Sequence, residues 1–296
     1  MLYGRRVKQL MTKSPPPQLS LLLLLAVSIT LGWRPLLDTF ALALREDQYT
    51  HIILILPLSA ALILSEWRSL RPMVARNFRT GFPLLVIAVL LVGVVKWRSA
   101  TLPSDVRLSI EMFALVLSWI AAFVLCFGSR VSRSVLFPLC FLFGLVPFPQ
   151  VVLNEIVDLL QQGSAIAAYA LFVAVGVPAT QNGILVTIPG LTVEVAQECS
   201  SIRSSSMLLV TTMVLAHVLL RSPWRKLLVI VFAVFLSVAK NGLRIFTIAM
   251  LGTRVDPAFL TGRLHRQGGI VFFMIALIAV FVLLWIFRKG EKTSLA

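Results

Sequence analysis

The chain has 296 residues, of which 58% are hydrophobic and 13% charged, with a mean hydropathy of +0.94. These apolar side chains exceed what one soluble core can bury, which excludes a soluble globular enzyme. The 27 Lys and Arg outnumber the 12 Asp and Glu, and in a membrane protein such an excess is typical of cytoplasmic loops, not of nucleic-acid binding. The three cysteines form no C-x-x-C pair, so we predict no disulfide framework, metal site or cofactor.

Apolar segments of about 20 residues, the length that crosses the hydrocarbon core, predict eight transmembrane helices. They lie near 19–37, 50–65, 82–97, 109–128, 134–147, 200–220, 227–251 and 269–287. We therefore predict an all-α polytopic membrane protein in which residues 1–296 form a single integral-membrane domain. Its first 18 residues are expected to be a flexible basic tail.

Lysine and arginine residues are concentrated in alternate loops, a pattern that places those loops in the cytoplasm. Besides the N-terminal tail, the basic residues on this side are Arg68, Arg71, Arg76, Arg79, Arg130, Arg133, Arg221, Arg225, Lys226, Arg288, Lys289 and Lys292. The sequence therefore predicts that both termini are cytoplasmic.

One further apolar segment, 150–177, would reverse this charge pattern if it were a ninth crossing. Its first half has polar residues on one helical face, which is typical of a helix in the interface. These residues are Asn154, Glu155, Asp158 and Gln161. We therefore predict an extracytoplasmic interfacial or re-entrant helix here.

The segment Gly183–Ala196 alternates β-branched residues on both sides of a Pro189-Gly190 turn signal. This pattern predicts a short extracytoplasmic β-hairpin. Because unpaired backbone groups are not tolerated in lipid, the hairpin should lie in water or in the interface. It leads directly to Cys199.

Cys199 stands where the hairpin ends and a membrane helix is predicted to begin. A helix N-terminus and a nearby cation, here Arg203, both lower the pKa of a thiol and favour the nucleophilic thiolate. The alternative is that Ser200 and its neighbours only cap the helix and that Cys199 is inert. Cys126 and Cys140 lie inside predicted crossings and are expected to be buried without a chemical role.

Arg244 lies inside a predicted crossing, where a charged side chain is costly and should face the bundle interior or a wet cavity. Lys240 and Asn241 lie one turn earlier on roughly the same face. The alternatives are that Arg244 extends outward to the interface, or that Lys240 and Arg244 only pair with Glu155, Asp158 or Glu194.

His265 lies in the last outer loop, on the side where Cys199 and Arg244 are expected. A histidine near a cysteine is the usual proton shuttle in acyl transfer. These three residues suit attack on a peptide carbonyl, with Cys199 as nucleophile and Arg244 as stabiliser of the oxyanion. His51, at the outer start of the second crossing, competes for the role of base.

The series C-S-x-x-R, N-x-x-R-I and H, in this order on an eight-crossing protein, resembles the exosortase/archaeosortase family of membrane cysteine transpeptidases. The matching segments are YTH at 49–51, PFP at 147–149, GVP at 176–178, ECSSIRSS at 198–205, NGLRI at 241–245 and His265. The resemblance implies a Cys, Arg and His active site at Cys199, Arg244 and His265. Residues expected to contribute to substrate binding are Arg203, Asn241 and His51.

The resemblance also implies a substrate and a location. Family members cleave exported proteins at a C-terminal sorting signal, which consists of a motif such as Pro-Glu-Pro, a transmembrane helix and a basic tail. They then transfer the new carboxyl end to a lipid or surface acceptor, which could be a polysaccharide. This implies a multi-pass protein of the cell inner membrane whose active site faces the periplasm. The alternatives are a non-catalytic membrane subunit of exopolysaccharide assembly and an anion transporter.

Overall fold

The computed structural model describes residues 16–70, 72, 74, 78–98, 100–195, 202–260 and 269–293. Contacts within the chain divide it into two compact units. The first consists of residues 1–45 and 52–149, and the second of residues 46–51 and 150–296. The N-terminal basic tail lies almost entirely outside the described residues, and the single-domain interpretation stays a prediction.

The first unit is helical. Its helices are α1 (Pro17–Leu31), α2 (Trp33–Arg45), α3 (Ile52–Leu70), α4 (Phe78–Trp97), α5 (Ser104–Ser134) and α6 (Leu136–Phe141), which is followed by a 3-10 turn at Leu142–Leu145. Helix α5 is central, because it contacts α1, α2 and α4. Its most apolar 18-residue window is 72% buried, far more than that of any other candidate span among the described residues.

Two sharp bends shape the first unit. Helices α1 and α2 form a pair bent by 76° at Gly32. Helix α5 is interrupted at Gly128, whose φ of 85° is a conformation that glycine adopts at little cost because it has no Cβ. The indole nitrogen of Trp119 on α5 donates a 2.9 Å hydrogen bond to the Ser28 hydroxyl on α1, which ties these two helices together.

The second unit combines helices with a small sheet. Its elements are a 3-10 turn at Asp47–Tyr49, α7 (Gln150–Ala174), β1 (Thr180–Asn182), β2 (Leu185–Ile188), β3 (Leu191–Glu194), α8 (Ile202–Leu219), α9 (Pro223–Arg254), a 3-10 turn at Pro257–Leu260 and α10 (Gly269–Thr293). Helix α9 packs against α7, α8 and α10 and so forms the centre of this unit.

The sheet is antiparallel with the strand order β1-β2-β3. The predicted hairpin is confirmed: Ile188 pairs with Leu191 across the two-residue turn, in which Gly190 has a φ of 81°. The third strand, β1, was not predicted. Val186 and Ile188 are buried against α7 and α9 and form one hydrophobic core with Phe172.

The structure has seven helices in its described part that are long and apolar enough to cross a membrane, or eight if the bent α1–α2 pair is one span. The total agrees with the predicted eight, but one assignment was wrong. The predicted fifth crossing at 134–147 contains only the six-residue α6 and a four-residue 3-10 turn. Ten residues extend about 15 Å at most as α-helix, half of the hydrocarbon thickness.

The segment that was expected to stay at the interface is instead a candidate span. Helix α7 has 25 residues and is about 37 Å long, which is enough to cross. With α7 counted in place of 134–147 and the bent α1–α2 pair counted as one span, five candidate spans precede α8, the number that the sequence predicted. The charge argument for cytoplasmic termini is unaffected and stays a prediction.

Large apolar side chains cover the outer surface of the long helices. On α10, for example, Ile270, Ile278 and Trp285 are 59–70% exposed. A soluble protein rarely exposes such continuous apolar surface, whereas lipid solvates it without cost. These surfaces, together with the long apolar helices, define a multi-pass membrane protein.

Candidate active site

Polar residues of one α9 turn connect this helix to its neighbours. The Asn241 side chain is buried and donates a 3.0 Å hydrogen bond to the Ser164 hydroxyl on α7. The Lys240 ammonium, also buried, donates to the Ser204 hydroxyl in the first turn of α8. Buried polar groups require such partners, because they have lost their water. Lys240 and Asn241 therefore fix α9 against α8 and α7 one turn before Arg244.

Gly242 explains why α7 and α9 can approach so closely at this point. A Cβ atom at position 242 would lie 2.5 Å from the Cβ of Ala167 and 3.0 Å from the backbone nitrogen of Ala168. Only glycine fits without moving one of the two helices. The close contact brings Asn241 within reach of Ser164, so the glycine of the N-G-L-R segment has a packing role.

Arg244 is half-buried and lines a pocket of about 230 Å³. The residues around the pocket come from β3, α9 and the 3-10 turn that follows α9. They are Leu191, Thr192, Val193, Glu194, Asn241, Arg244, Ile245, Ile248, Ala249 and Leu260. Arg244 therefore borders a cavity, as its position in the sequence led us to expect. Glu194 borders the same cavity and supplies the opposite charge there.

Gln161 is a site residue that sequence analysis interpreted incorrectly. It was assigned to the polar face of an interfacial helix, but its side chain is 5% exposed. Its amide donates a 2.6 Å hydrogen bond to the carbonyl oxygen of Val195, the last described residue before the Cys199 segment. The one feature of the sequence that could have indicated this buried role is the presence of a glutamine in the apolar middle of α7. Asn154, Glu155 and Asp158 of the same predicted face are exposed.

Arg203 lies at the start of α8 and forms an ion pair that the sequence did not predict. Its guanidinium is 2.6 Å from the Asp47 carboxylate, and the two side chains are 56% and 78% exposed. The ion pair brings the 3-10 turn Asp47–Tyr49 to the start of α8. His51, two residues after that turn, is half-buried. It belongs to the same compact unit as Arg203 and Arg244.

Two predicted catalytic residues, Cys199 and His265, lie outside the described residues, so their roles stay predictions. The nearest described residues in the chain are Val195 and Ile202 on either side of Cys199, with Leu260 and Gly269 on either side of His265. Of the other two cysteines, Cys126 is buried as expected. The expectation of burial was wrong for Cys140, which is exposed on α6 between the buried Leu139 and Phe141.

The fold and the pocket define a multi-pass membrane protein with a partly buried arginine beside a small sheet. Residues 41–282 match the family model for transmembrane exosortases, so the chain belongs to this family. The matched region spans both compact units and contains all six predicted site residues. The search of curated proteins and the search of solved structures found no match.

Proposed function

We propose that the protein is a membrane cysteine protease and transpeptidase that cleaves the C-terminal sorting signals of exported proteins. The signal consists of a short motif of the Pro-Glu-Pro type, a transmembrane helix and a basic tail. The new carboxyl end is then transferred to a lipid or surface acceptor. Membership of the transmembrane exosortase family supports this class of function.

The observation that carries the proposal is the convergence of three chain segments at the Lys240–Arg244 turn of α9. Val195, four residues before Cys199, shares a hydrophobic core with Ile245. Ser204, five residues after Cys199, accepts a hydrogen bond from Lys240. Since six residues connect Val195 to Ile202, the chain itself limits how far the Cys199 thiol can lie from this turn.

The segment before His265 reaches the same place. Leu260 lines the pocket together with Arg244. Gly252 on α9 leaves room for it, because a Cβ atom there would overlap the Leu260 side chain. His265 follows Leu260 by five positions. This supports a site assembled from Cys199, Arg244 and His265.

The proposed reaction follows from these three side chains. The Cys199 thiolate attacks the scissile carbonyl carbon, and Arg244 stabilises the negative charge on the resulting oxyanion. Collapse of the intermediate breaks the C–N bond, while His265 gives a proton to the departing amine. The acyl group remains on Cys199 as a thioester. An acceptor hydroxyl or amine then attacks the thioester, loses its proton to His265 and regenerates the thiolate.

We place this site at the outer face of the membrane. At the opposite end of α9, Arg225 donates a 2.7 Å hydrogen bond to the carbonyl oxygen of Phe287, next to Arg288 and Lys289 on α10. This basic end is typical of the cytoplasmic side. Arg244 follows Arg225 by 19 residues, a distance of about 28 Å along a helix and close to the hydrocarbon thickness.

A substrate with a transmembrane helix and a basic tail suits such a location. The basic tail keeps its end in the cytoplasm, so the helix stops in the membrane and its outer junction lies at the depth of Arg244. The motif that precedes the substrate's transmembrane helix then lies in the membrane interface, at the depth of the proposed active site.

The test is mass spectrometry of the C-termini of exported and membrane proteins in the native host, comparing wild type with Cys199→Ala. We expect a set of proteins with a shared motif, helix and basic tail to keep the tail only in the mutant. Any mass added to the wild-type ends identifies the acceptor. Cys140→Ala, which changes an exposed cysteine of the other compact unit, is the matched control and should process normally.

Unchanged termini in a stably inserted Cys199→Ala protein would contradict the proposal and favour a transporter or a non-catalytic assembly subunit. The same assay distinguishes the two histidines. We expect His265→Ala to abolish processing, whereas His51→Ala should only reduce it, because His51 is expected to contribute to substrate binding. The reverse result would assign the base to His51.

A further inference from the structure

Strand β3 forms one edge of the sheet, and this edge borders the Arg244 pocket. In the strand order β1-β2-β3, only β2 pairs with β3 among the described residues. All four β3 residues, Leu191 to Glu194, line the pocket. The pocket is therefore a groove with an edge strand on one side and α9 on the other.

The register shows which backbone groups point into the groove. The Val195 N–H donates to the Ile184 carbonyl, and Ile188 pairs with Leu191 at the hairpin turn. Hydrogen-bonded pairs alternate along an antiparallel ladder, so Leu191 and Val193 direct their N–H and C=O groups toward β2, as does Val195 its N–H. The intervening Thr192 and Glu194 direct theirs away from β2, toward the open edge.

The opposite wall suits the side chains of an extended peptide. It contains Ile245, Ile248 and Leu260, which are apolar, and Arg244, which supplies a positive charge. Glu194, at the end of this strand, precedes the proposed nucleophile Cys199 by only five residues, which limits the distance between the two. A peptide that pairs with β3 would run along this strand, close to the chain segment that continues to Cys199.

We propose that the sorting-signal segment of the substrate binds in this groove as a fourth strand, paired through its main chain with Thr192 and Glu194 of β3. Unpaired strand edges bind extended peptides in this way, with affinity from main-chain hydrogen bonds and selectivity from alternate side chains. In this complex, one set of alternate substrate side chains contacts Ile245, Ile248 and Leu260. The inference rests on the proposed function and specifies how that function selects its substrate.

The first experiment removes one outward N–H without changing a ladder hydrogen bond. Thr192→Pro deletes the N–H that faces the groove, and proline is tolerated on an edge strand. Thr192→Ala is the matched control. Both variants lose the 3.2 Å hydrogen bond between the Thr187 and Thr192 hydroxyls. The alanine variant keeps the backbone N–H, which the proline variant lacks. Both are made in the Cys199→Ala background, so that the bound peptide is not cleaved.

The probe is a fluorescently labelled synthetic peptide that contains the Pro-Glu-Pro motif of a cleavage reporter, added to detergent-solubilised protein. We expect Thr192→Pro to bind the peptide about tenfold more weakly than Thr192→Ala does, which is the effect of losing one main-chain hydrogen bond and leaving its partner unpaired. Thermal unfolding of both variants checks that the sheet remains intact. Equal affinity of the two folded variants, or no binding to the parent protein, would overturn the inference.

A second measurement does not depend on any protein variant. Methylation of one peptide N–H at a time should weaken binding at every second position outside the prolines, because only alternate N–H groups face β3. A scan without this alternation would overturn strand pairing. Cleavage of the full reporter by wild-type membranes is measured in parallel. Cleavage without alternation rejects only the strand-pairing inference, whereas no cleavage of any reporter rejects the proposed function.

Discussion

The side-chain amide of Gln161 on α7 donates a 2.6 Å hydrogen bond to the carbonyl oxygen of Val195, and both residues are buried. This bond fixes the end of the β-sheet against α7 just before the chain continues to Cys199. Substitution of Gln161 should therefore affect both folding and processing.

We expect Gln161→Met to lower the free energy of unfolding by about 1–3 kcal/mol, because it leaves the buried Val195 carbonyl without its donor. It should also reduce reporter cleavage. Thermal unfolding in detergent and the reporter assay measure the two effects. Gln162→Met, at the exposed neighbouring position, is the control and should behave like wild type. Indistinguishable results for the two variants would contradict a role for this hydrogen bond.

Gly242→Ala should destabilise the protein by about 1–3 kcal/mol, because the added methyl group overlaps Ala167 and the two helices must separate. Gly93→Ala provides the comparison, since a Cβ atom there has no neighbour within 4 Å. That control should be neutral or slightly stabilising, as alanine is the better helix former. The midpoint of thermal unfolding measures both. Equal tolerance of the two alanines would show that α7 and α9 are not in close contact at Gly242.

Ser204→Ala removes the hydroxyl that accepts a hydrogen bond from Lys240. The buried ammonium loses this acceptor, so we expect a loss of about 1–3 kcal/mol in unfolding free energy. Ser206→Ala is the matched control, because the Ser206 hydroxyl donates to the Ile202 carbonyl within its own helix. In a double-mutant cycle, Ser204→Ala should cost much less when Lys240 is already methionine. Additive effects in the cycle would contradict the contact.

The Arg203–Asp47 ion pair should contribute little to stability, because both side chains are exposed and screened by solvent. A double-mutant cycle with Arg203→Ala and Asp47→Asn should give a coupling of about 0.2–1 kcal/mol that falls as salt is raised. Glu46→Gln is the control for loss of a neighbouring charge. If Arg203 contacts substrate, Arg203→Ala should reduce reporter cleavage more than Asp47→Asn does. The reverse order would restrict Arg203 to the ion pair.

Sequence analysis performed best where the signal was local. The hairpin was predicted from alternation and the Pro189-Gly190 turn, and strands β2 and β3 do pair across this turn. Most of the crossings were located from hydropathy. The additional strand β1 is only three residues long and depends on its pairing with β2, so it had no pattern of its own.

Residues that bond across the fold were harder to predict. Asp47 and Arg203 are separated by 156 positions, and Gln161 and Val195 by 34. No spacing rule connects such pairs, because their contact depends on how the elements pack. Asn241 lines the same pocket as Arg244, as the predicted face implies, whereas Lys240 bonds to Ser204 on α8. The partners Ser204 and Ser164 could be identified only once α7 and α8 were placed against α9.

By itself the sequence determined that the chain is a multi-pass membrane protein with a hairpin before a Cys-containing segment, because hydropathy and turn chemistry act over a few residues. Tertiary structure decided which of two adjacent apolar segments forms a long helix. The chain around α6 is short and irregular, with its Pro138 carbonyl bonded to Ser59 on α3. In helix α7 the polar side chains of Gln161 and Ser164 bond to Val195, directly after β3, and to Asn241 on α9. A polar residue inside an apolar helix is stable only where another element supplies its partner.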